Sequence, residues 1–299
     1  VNSIDEIVKS KVTEEVSTAT KAAEERLQES VRAAVVKDLD VLRPIEIRTE
    51  GKKKKIERAL THEKTPIVLN YISSRLPVLL VGHAGSGKTH IAVQCAQMLD
   101  LPYYSISVNE QTSKSDFLGY VDATGKIVKT NFRKAFEEGG VFIIDEIDAG
   151  NPNILTVINS ALSNDMCPFP DQMVARHPDF VCVCTANTFG EGESLQYIGR
   201  NILDAATRDR FVCIFIDYSE VLEKALIPNF GKLLKALREH FVKTNTNVVI
   251  STRAGIRLET LKASQEKVTF DDAISCLNLH RESRKDVKVR EIVLSHVQV

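Results

Sequence analysis

The stretch GHAGSGKT at residues 82–89 constrains the fold more than any other part of this chain. It fits the spacing G-x-x-x-x-G-K-[ST], it is entered from the apolar run VLLVG (78–82), and it leads into a helical pattern over 89–99. Strand, glycine-rich loop and helix in that order make a cradle for phosphate. The glycines let backbone N–H groups turn inward, and the helix N-terminus adds the positive end of its dipole. Gly82, His83, Ala84, Gly85, Ser86, Gly87, Lys88, Thr89 and His90 are therefore candidate nucleotide-binding residues. Lys88 is expected to reach the outer phosphates, and Thr89 to set its hydroxyl on a Mg²⁺ ion.

Such a loop needs a sheet behind it. Five short apolar or β-branched runs supply one: VLLVG (78–82), YYSISV (103–108), VFIID (141–145), FVCVCTAN (180–187) and FVCIFID (211–217), with helical stretches such as 152–163 between them. Runs without strict alternation point to strands buried on both faces, and hence to an α/β fold with a parallel sheet covered by helices. After Tyr218 the strand signals stop, and EVLEKALIPNFGKLLKALREHFVKTN, STRAGIRLETLKAS and TFDDAISCLNLHR read as three helices of a smaller domain. Ahead of the sheet, Ile4, Val8, Val12, Val16, Ala19, Ala23, Leu27, Val31 and Ala34 form a stripe at spacings of three and four, which predicts a long amphipathic helix. Pro44 ends it, and PIEIRTEGKKKK reads as a short extended piece and a basic connector. The lysines at 52–55 are expected to be the solvated start of a helix running on through IERALTHEKTPIVLNYISSR, since no aromatic residues are interleaved among them for stacking on bases. The expected organisation is residues 1–43 as an N-terminal helix, 44–218 as the large α/β domain and 219–299 as a helical lid.

Charge and cysteine usage narrow the function classes. Lys+Arg at 39 against Asp+Glu at 40 leaves a net charge of -1, so no global field recruits nucleic acid or an acidic membrane. No apolar run approaches the about 18 residues of a membrane span, and the N-terminus lacks the basic-then-apolar order of a signal peptide. The six cysteines form no CxxC pair and mostly sit in apolar runs, as reduced core thiols do. A cytoplasmic location is expected.

A phosphate loop becomes a hydrolytic site when a carboxylate follows at the end of a buried strand. In VFIIDEID (141–148), Asp145 emerges from the strand where it can hold Mg²⁺, and Glu146 is placed to polarise the water that attacks the terminal phosphate. Asp148 is expected first as a cap for the helix that starts near Pro152, and otherwise as a support behind the site residues. Asn187, at the end of FVCVCTAN, offers a neutral amide that can align the water without competing as a base. An arginine must also offset charge as the bond breaks.

These residues resemble an AAA+ ATPase over roughly 45–265. GHAGSGKT is similar to its Walker A motif, VFIIDEID to Walker B, and TAN to the sensor-1 position at Asn187. LDAATRDRF (203–211) resembles the segment carrying the arginine finger, and STRAGIR (251–257) the sensor-2 segment with Arg253, although Thr252 stands where the family often has proline. SDFLGYVDATGKIVKTNFRKAFEEGGVFIIDEIDAGNPNILTVINSAL further resembles the MoxR, CbbQ, CobS and dynein-related branch, in which two extra hairpins face the ring pore or a partner. Here GYVDATGKIVKTN and CPFPDQMVARHPDF are their counterparts. The resemblance implies a five-stranded sheet in the order 5-1-4-3-2, a helical lid and a homo-oligomeric ring, usually hexameric. It implies ATP and Mg²⁺ as ligands and Arg210 as the finger that reaches a neighbour's ATP, with Arg208 and Arg200 as competitors. The leading functional expectation is a chaperone-like ATPase that remodels a protein client. The alternatives are a nucleic-acid motor using the lysines at 52–55 with Lys126 and Lys129, and a nucleotide-gated scaffold with little turnover. No NKxD stretch is present to read guanine.

Overall fold

The five apolar runs form five strands: β1 (Val78–Val81), β2 (Tyr103–Ser107), β3 (Gly140–Asp145), β4 (Phe180–Ala186) and β5 (Val212–Phe215). In this computed structural model, which describes residues 45–49, 52–56, 60–193, 196–265, 267–279 and 281–297, they lie side by side as β5-β1-β4-β3-β2. Every neighbouring pair is parallel. Counting the sheet strands alone, with the short hairpin strands set aside, the order is 5-1-4-3-2. The register aligns the C-terminal ends: Val81 pairs with Ala186 and Phe215, and Asp145 with Ser107. Whatever follows these residues therefore gathers along one edge, where open α/β sheets bind ligands.

Side chains alternate across each strand, so the sheet has two apolar faces. On one, Leu79, Val81, Phe142, Ile144, Cys182 and Cys184 pack under the aromatic group of Phe117, Phe132, Phe136 and Phe180 and under Ile154 and Ile158. On the other, Val78, Leu80, Val141, Ile143, Val181 and Val183 pack under Val68, Ile72, Ile91, Ala92 and Cys95. Burial on both faces holds for β1, β3 and β4, but the edge strands differ from the expectation. In β2 and β5 exposed residues alternate with more buried ones, because an edge strand has only one well-covered flank.

The helices that cover the sheet are α1 (Thr65–Ser73), α2 (Lys88–Met98), α3 (Lys114–Leu118), α4 (Asn131–Glu138), α5 (Pro152–Ser163) and α6 (Ala205–Asp209). The described residues belong to one compact unit, Pro44–Val299. The amphipathic helix expected at 1–43 lies outside the described residues. The basic stretch corrects another expectation: Lys52–Ile56 pairs antiparallel with Ile45–Thr49 as a hairpin, and the helix starts only at Thr65. Pro66 explains the late start, since its fixed φ and missing N–H suit the first turn of a helix and not its interior.

After Ser219 the chain is helical, as α7 (Glu220–Leu226), α8 (Gly231–Lys243), α9 (Thr252–Ser264), α10 (Phe270–Cys276), α11 (Arg281–Lys285) and α12 (Val287–Val297). They share a separate apolar cluster built on Ile227, Leu233, Leu234, Leu237, Leu258, Ile274 and Val293. The first expected helix is two, broken at 227–230, because Pro228 cannot donate to the preceding turn.

Both expected hairpins are present. Tyr120–Val121 pairs with Ile127–Val128, across a turn in which Asp122 Oδ1 accepts hydrogen bonds from the backbone of Thr124 and Lys126. Met166–Pro168 pairs with Met173–Ala175. The second hairpin is fastened to α4 by Arg133, whose side chain is 1% exposed and whose guanidinium donates to both oxygens of Asp171 at 2.5 and 2.8 Å while lying over the Phe169 ring.

Candidate functional site

The glycine-rich loop leaves β1 at Gly82 and enters α2 at Lys88. Gly87 sits at φ 93°, a left-handed conformation that costs a residue with a Cβ, and so turns the chain sharply into the helix. Gly85 lies against the N-terminus of α9, where an added Cβ would meet the Cβ of Ser251 at 2.7 Å. The loop tip is held by two tyrosines. Tyr197 Oη accepts from the Ala84 N–H at 3.0 Å, and Tyr218 Oη donates to the Ala84 carbonyl at 3.0 Å. His83 stacks with both rings.

Lys88 is buried, and its ammonium donates to the carbonyls of Gly82 and His83 at 2.7 and 3.0 Å and to Asn187 Oδ1 at 3.0 Å. Burial pulls its pKa down to about 8, against the opposing pull of Asp145, Asp148 and Glu146. Beside it, Thr89 Oγ1 donates to Asp145 Oδ1 at 3.0 Å, and Thr185 Oγ1 from β4 donates to the same oxygen. Thr185 also accepts the Glu146 N–H at 3.2 Å. Glu146 has φ 58°, an uncommon value for a residue with a side chain, and its side chain is 45% exposed. The structure therefore brings together Lys88, Thr89, Asp145, Glu146 and Asn187 from three separate segments.

Asp148 takes the supporting place and not the favoured role of helix cap. It does not cap α5. Fully buried in the 3₁₀ turn Ile147–Ala149, its Oδ2 accepts from the backbone N–H groups of Asn187 and Thr188 at 3.1 and 3.0 Å and from Thr188 Oγ1 at 2.9 Å. It thus sets the direction in which Asn187 leaves β4. The second residue after a buried-strand DE pair carries no sequence mark of this role.

Of the remaining expected residues, His90 and Arg210 make no contact with this group, whereas Arg200 rests on Glu146 and Arg253 flanks Gly85 of the loop. His90 is exposed on α2. Arg253 is exposed at the second position of α9, next to the Ser251 N-cap that faces Gly85. Arg210 follows α6 and spends its guanidinium on Ser163 Oγ at 3.0 Å and on the Ala206 carbonyl. Thr252, where the family often has proline, donates its hydroxyl to Glu223 Oε1 at 2.5 Å. Glu223 is buried and bidentate with Arg238 at 2.7 Å for both contacts, and Arg238 lies 3.7 Å over the Tyr218 ring. Neither tyrosine nor this ion pair was legible, because their partners lie more than a hundred residues away or carry no motif.

Residues 77–211 match the family model described as AAA domain (dynein-related subfamily). These residues are an AAA domain. Nucleotide binding and the ATPase class come with that family, whose members commonly assemble into oligomers. The domain-bearing chain is 24% identical over 229 residues to the uncharacterized protein SERP0979 of Staphylococcus epidermidis, covering 70% of this chain and 82% of that one. It is likewise 24% identical over 231 residues to the uncharacterized protein SAUSA300_1302 of Staphylococcus aureus, with the same coverage. Among solved structures, NtrX from Brucella abortus superposes with a TM-score of 0.47 at 12% identity, over 92% of this chain and 57% of NtrX. No helix among the described residues is long and apolar enough to cross a membrane.

Proposed function

We propose that this chain hydrolyses ATP in a homo-oligomeric ring, as a hexamer, and uses the cycle to remodel a protein client in the manner of MoxR-like chaperones. The observation that carries the hydrolytic part is the joined set around Asp145: Thr89 on its carboxylate, Thr185 beneath it, and Lys88 reaching from the glycine-rich loop to Asn187. In this reading the backbone of residues 82–89 wraps the phosphates, and Lys88 exchanges its carbonyl partners for phosphate oxygens. Thr89 and Asp145 fit a Mg²⁺ ion, since they already present a hydroxyl and a carboxylate oxygen 3.0 Å apart and the ion needs few protein ligands. When bound, Mg²⁺ supplies charge neutralisation across the transferring phosphate. Glu146 takes the proton of the attacking water, and Asn187 aligns that water. Arg210 from a neighbouring subunit meets the charge that develops in the transition state, while Arg253 senses the terminal phosphate from the N-terminus of α9.

Residues 44–218 act here as the nucleotide-binding domain and 219–299 as its lid. Loss of the terminal phosphate releases the Arg253 and Arg210 contacts, so lid and neighbour rotate and carry the hairpins with them. Tyr120 and Val121 are 51% and 50% exposed on one hairpin and Met173 is 54% exposed on the other, a surface suited to apolar segments of a protein client. The test is the steady-state ATPase rate over a wide range of protein concentration, alone and with single- or double-stranded DNA. A rate per subunit that rises cooperatively and ignores DNA is expected. Stimulation by DNA that is lost with added salt would replace the protein remodeller with a nucleic-acid motor.

A further inference from the structure

We propose that Arg200 is a positioning residue of the hydrolytic site in its own chain, holding the Glu146 carboxylate in place for the attacking water, and that it does not serve a neighbouring subunit. This rests on the ATPase reading above. Arg200 Nη2 lies 3.1 Å from Glu146 Oε2, and Nη1 lies 3.2 Å from Asp148 Oδ1. Glu146 has a half-open side chain on a left-handed backbone residue, so its rotamer needs a partner to be fixed. Arg200 supplies one. The other oxygen of Asp148 carries the backbone of Asn187 and Thr188. A single planar guanidinium therefore ties the group that takes the proton to the carboxylate that directs the group aligning the water.

The arginine is itself held. Its side chain is 14% exposed, and its segment is pinned at several points. Tyr197 takes the Ala84 N–H, and the Gly199 N–H donates to Glu193 Oε1 at 2.8 Å. The Asn201 N–H donates to the Asp148 carbonyl at 2.7 Å, and its side-chain amide donates to the Gly150 carbonyl at 2.9 Å. One short strap thus joins the tip of the phosphate loop to the turn after β3. An arginine that reaches across an interface must leave its resting partners: Arg210 would give up only a hydroxyl and a carbonyl, whereas both arms of Arg200 rest on carboxylates of its own chain.

The experiment compares Arg200→Ala and Arg200→Lys with wild type in turnover and nucleotide affinity, then mixes variant subunits. Wild-type hydrolysis that is lost in Glu146→Gln first establishes the underlying reading; its absence would sink that reading and this inference with it. Arg200→Ala is expected to lower kcat about 10- to 100-fold, the cost of misplacing a reacting group, with ATP affinity within about 3-fold. Arg200→Lys should recover part of the loss, since an ammonium satisfies one carboxylate and not two. This variant also keeps the charge if the alanine chain does not fold. Mixing Arg200→Ala with Glu146→Gln should give no recovery, because both lesions fall on a subunit's own site. Recovery on mixing, unchanged kcat in both variants, or loss of ATP binding in Arg200→Lys would each overturn the inference. If Arg210→Ala also fails to recover with Glu146→Gln, the shared-site reading falls, while a kcat loss at unchanged affinity still supports Arg200.

Discussion

The strap at 196–201 and the segment at 204–211 belong to one excursion between β4 and β5, and each offers an arginine. In the strap, Arg200 is nearly buried with both arms on site carboxylates, and the backbone around it is pinned to Ala84, Asp148 and Gly150. Eleven residues after the strap's Arg200 comes the buried Phe211, and just before it Arg210 rests on Ser163 and Ala206, away from the phosphate loop. Nearness in sequence to the hydrolytic motifs thus does not tell which arginine works inside its own chain. The difference lies in whether fixed carboxylates of that chain claim the guanidinium.

The sharpest way to break this comparison is Arg210→Ala. A finger acting across an interface contributes about 10³-fold or more to turnover, so that loss is expected with ATP binding intact, together with recovery on mixing with Glu146→Gln. A loss below about 3-fold would move the role to Arg208. Next in size, Glu146→Gln should retain nucleotide affinity in a direct binding assay while turnover falls about 10²- to 10⁴-fold. Preserved hydrolysis would place the proton acceptor elsewhere and leave the Arg200 contact without a catalytic partner.

Smaller effects sharpen the rest of the site. Thr252→Val strips a hydroxyl from the buried Glu223 and should cost about 1–3 kcal/mol of stability, measured by denaturant unfolding. No change would mean that Arg238 alone satisfies Glu223. The smallest expected effect is protonic. Burial holds the Lys88 pKa at about 8, below its ordinary 10.5, so between those values the unfolded chain carries more protons than the folded one. The contribution of this group to stability therefore rises with pH across that window and is a penalty below it. Bound phosphate pulls the pKa back up. Calorimetric ATP titrations in buffers of different ionisation enthalpy should then show uptake of a fraction of a proton near pH 8.5 and almost none near pH 6.5. Equal uptake at both would mean that Lys88 is already charged throughout.

The loop at 82–89, the DE pair after β3 and Asn187 were legible because each sits at the end of an apolar run long enough to be read as a buried strand. The turn of the first hairpin was legible from its ATG, and Gly125 at φ 78° occupies the left-handed position there. The misreadings have equally local causes. Lysines with no aromatic neighbours fit a helix start as well as a hairpin strand, and only pairing with Ile45–Thr49 decides between them. For Asp148 the sequence favours a cap over a supporting place, because a cap is what an acid shortly before a helix most often provides. Its actual partners, Asn187 and Thr188, lie on another strand.

By itself the sequence determined the α/β class, the five strands and the phosphate loop, since periodicity, β-branched runs and glycine spacing act through neighbours along the chain. Tertiary structure alone decided that Lys88 meets Asn187, that Asp148 directs Asn187, that two tyrosines hold Ala84, and that Arg200 takes Glu146. Each of those contacts joins side chains carried by different strands or straps. Their meeting depends on the sheet register, which aligns Val81, Ala186 and Asp145 along one edge and which no local signal encodes.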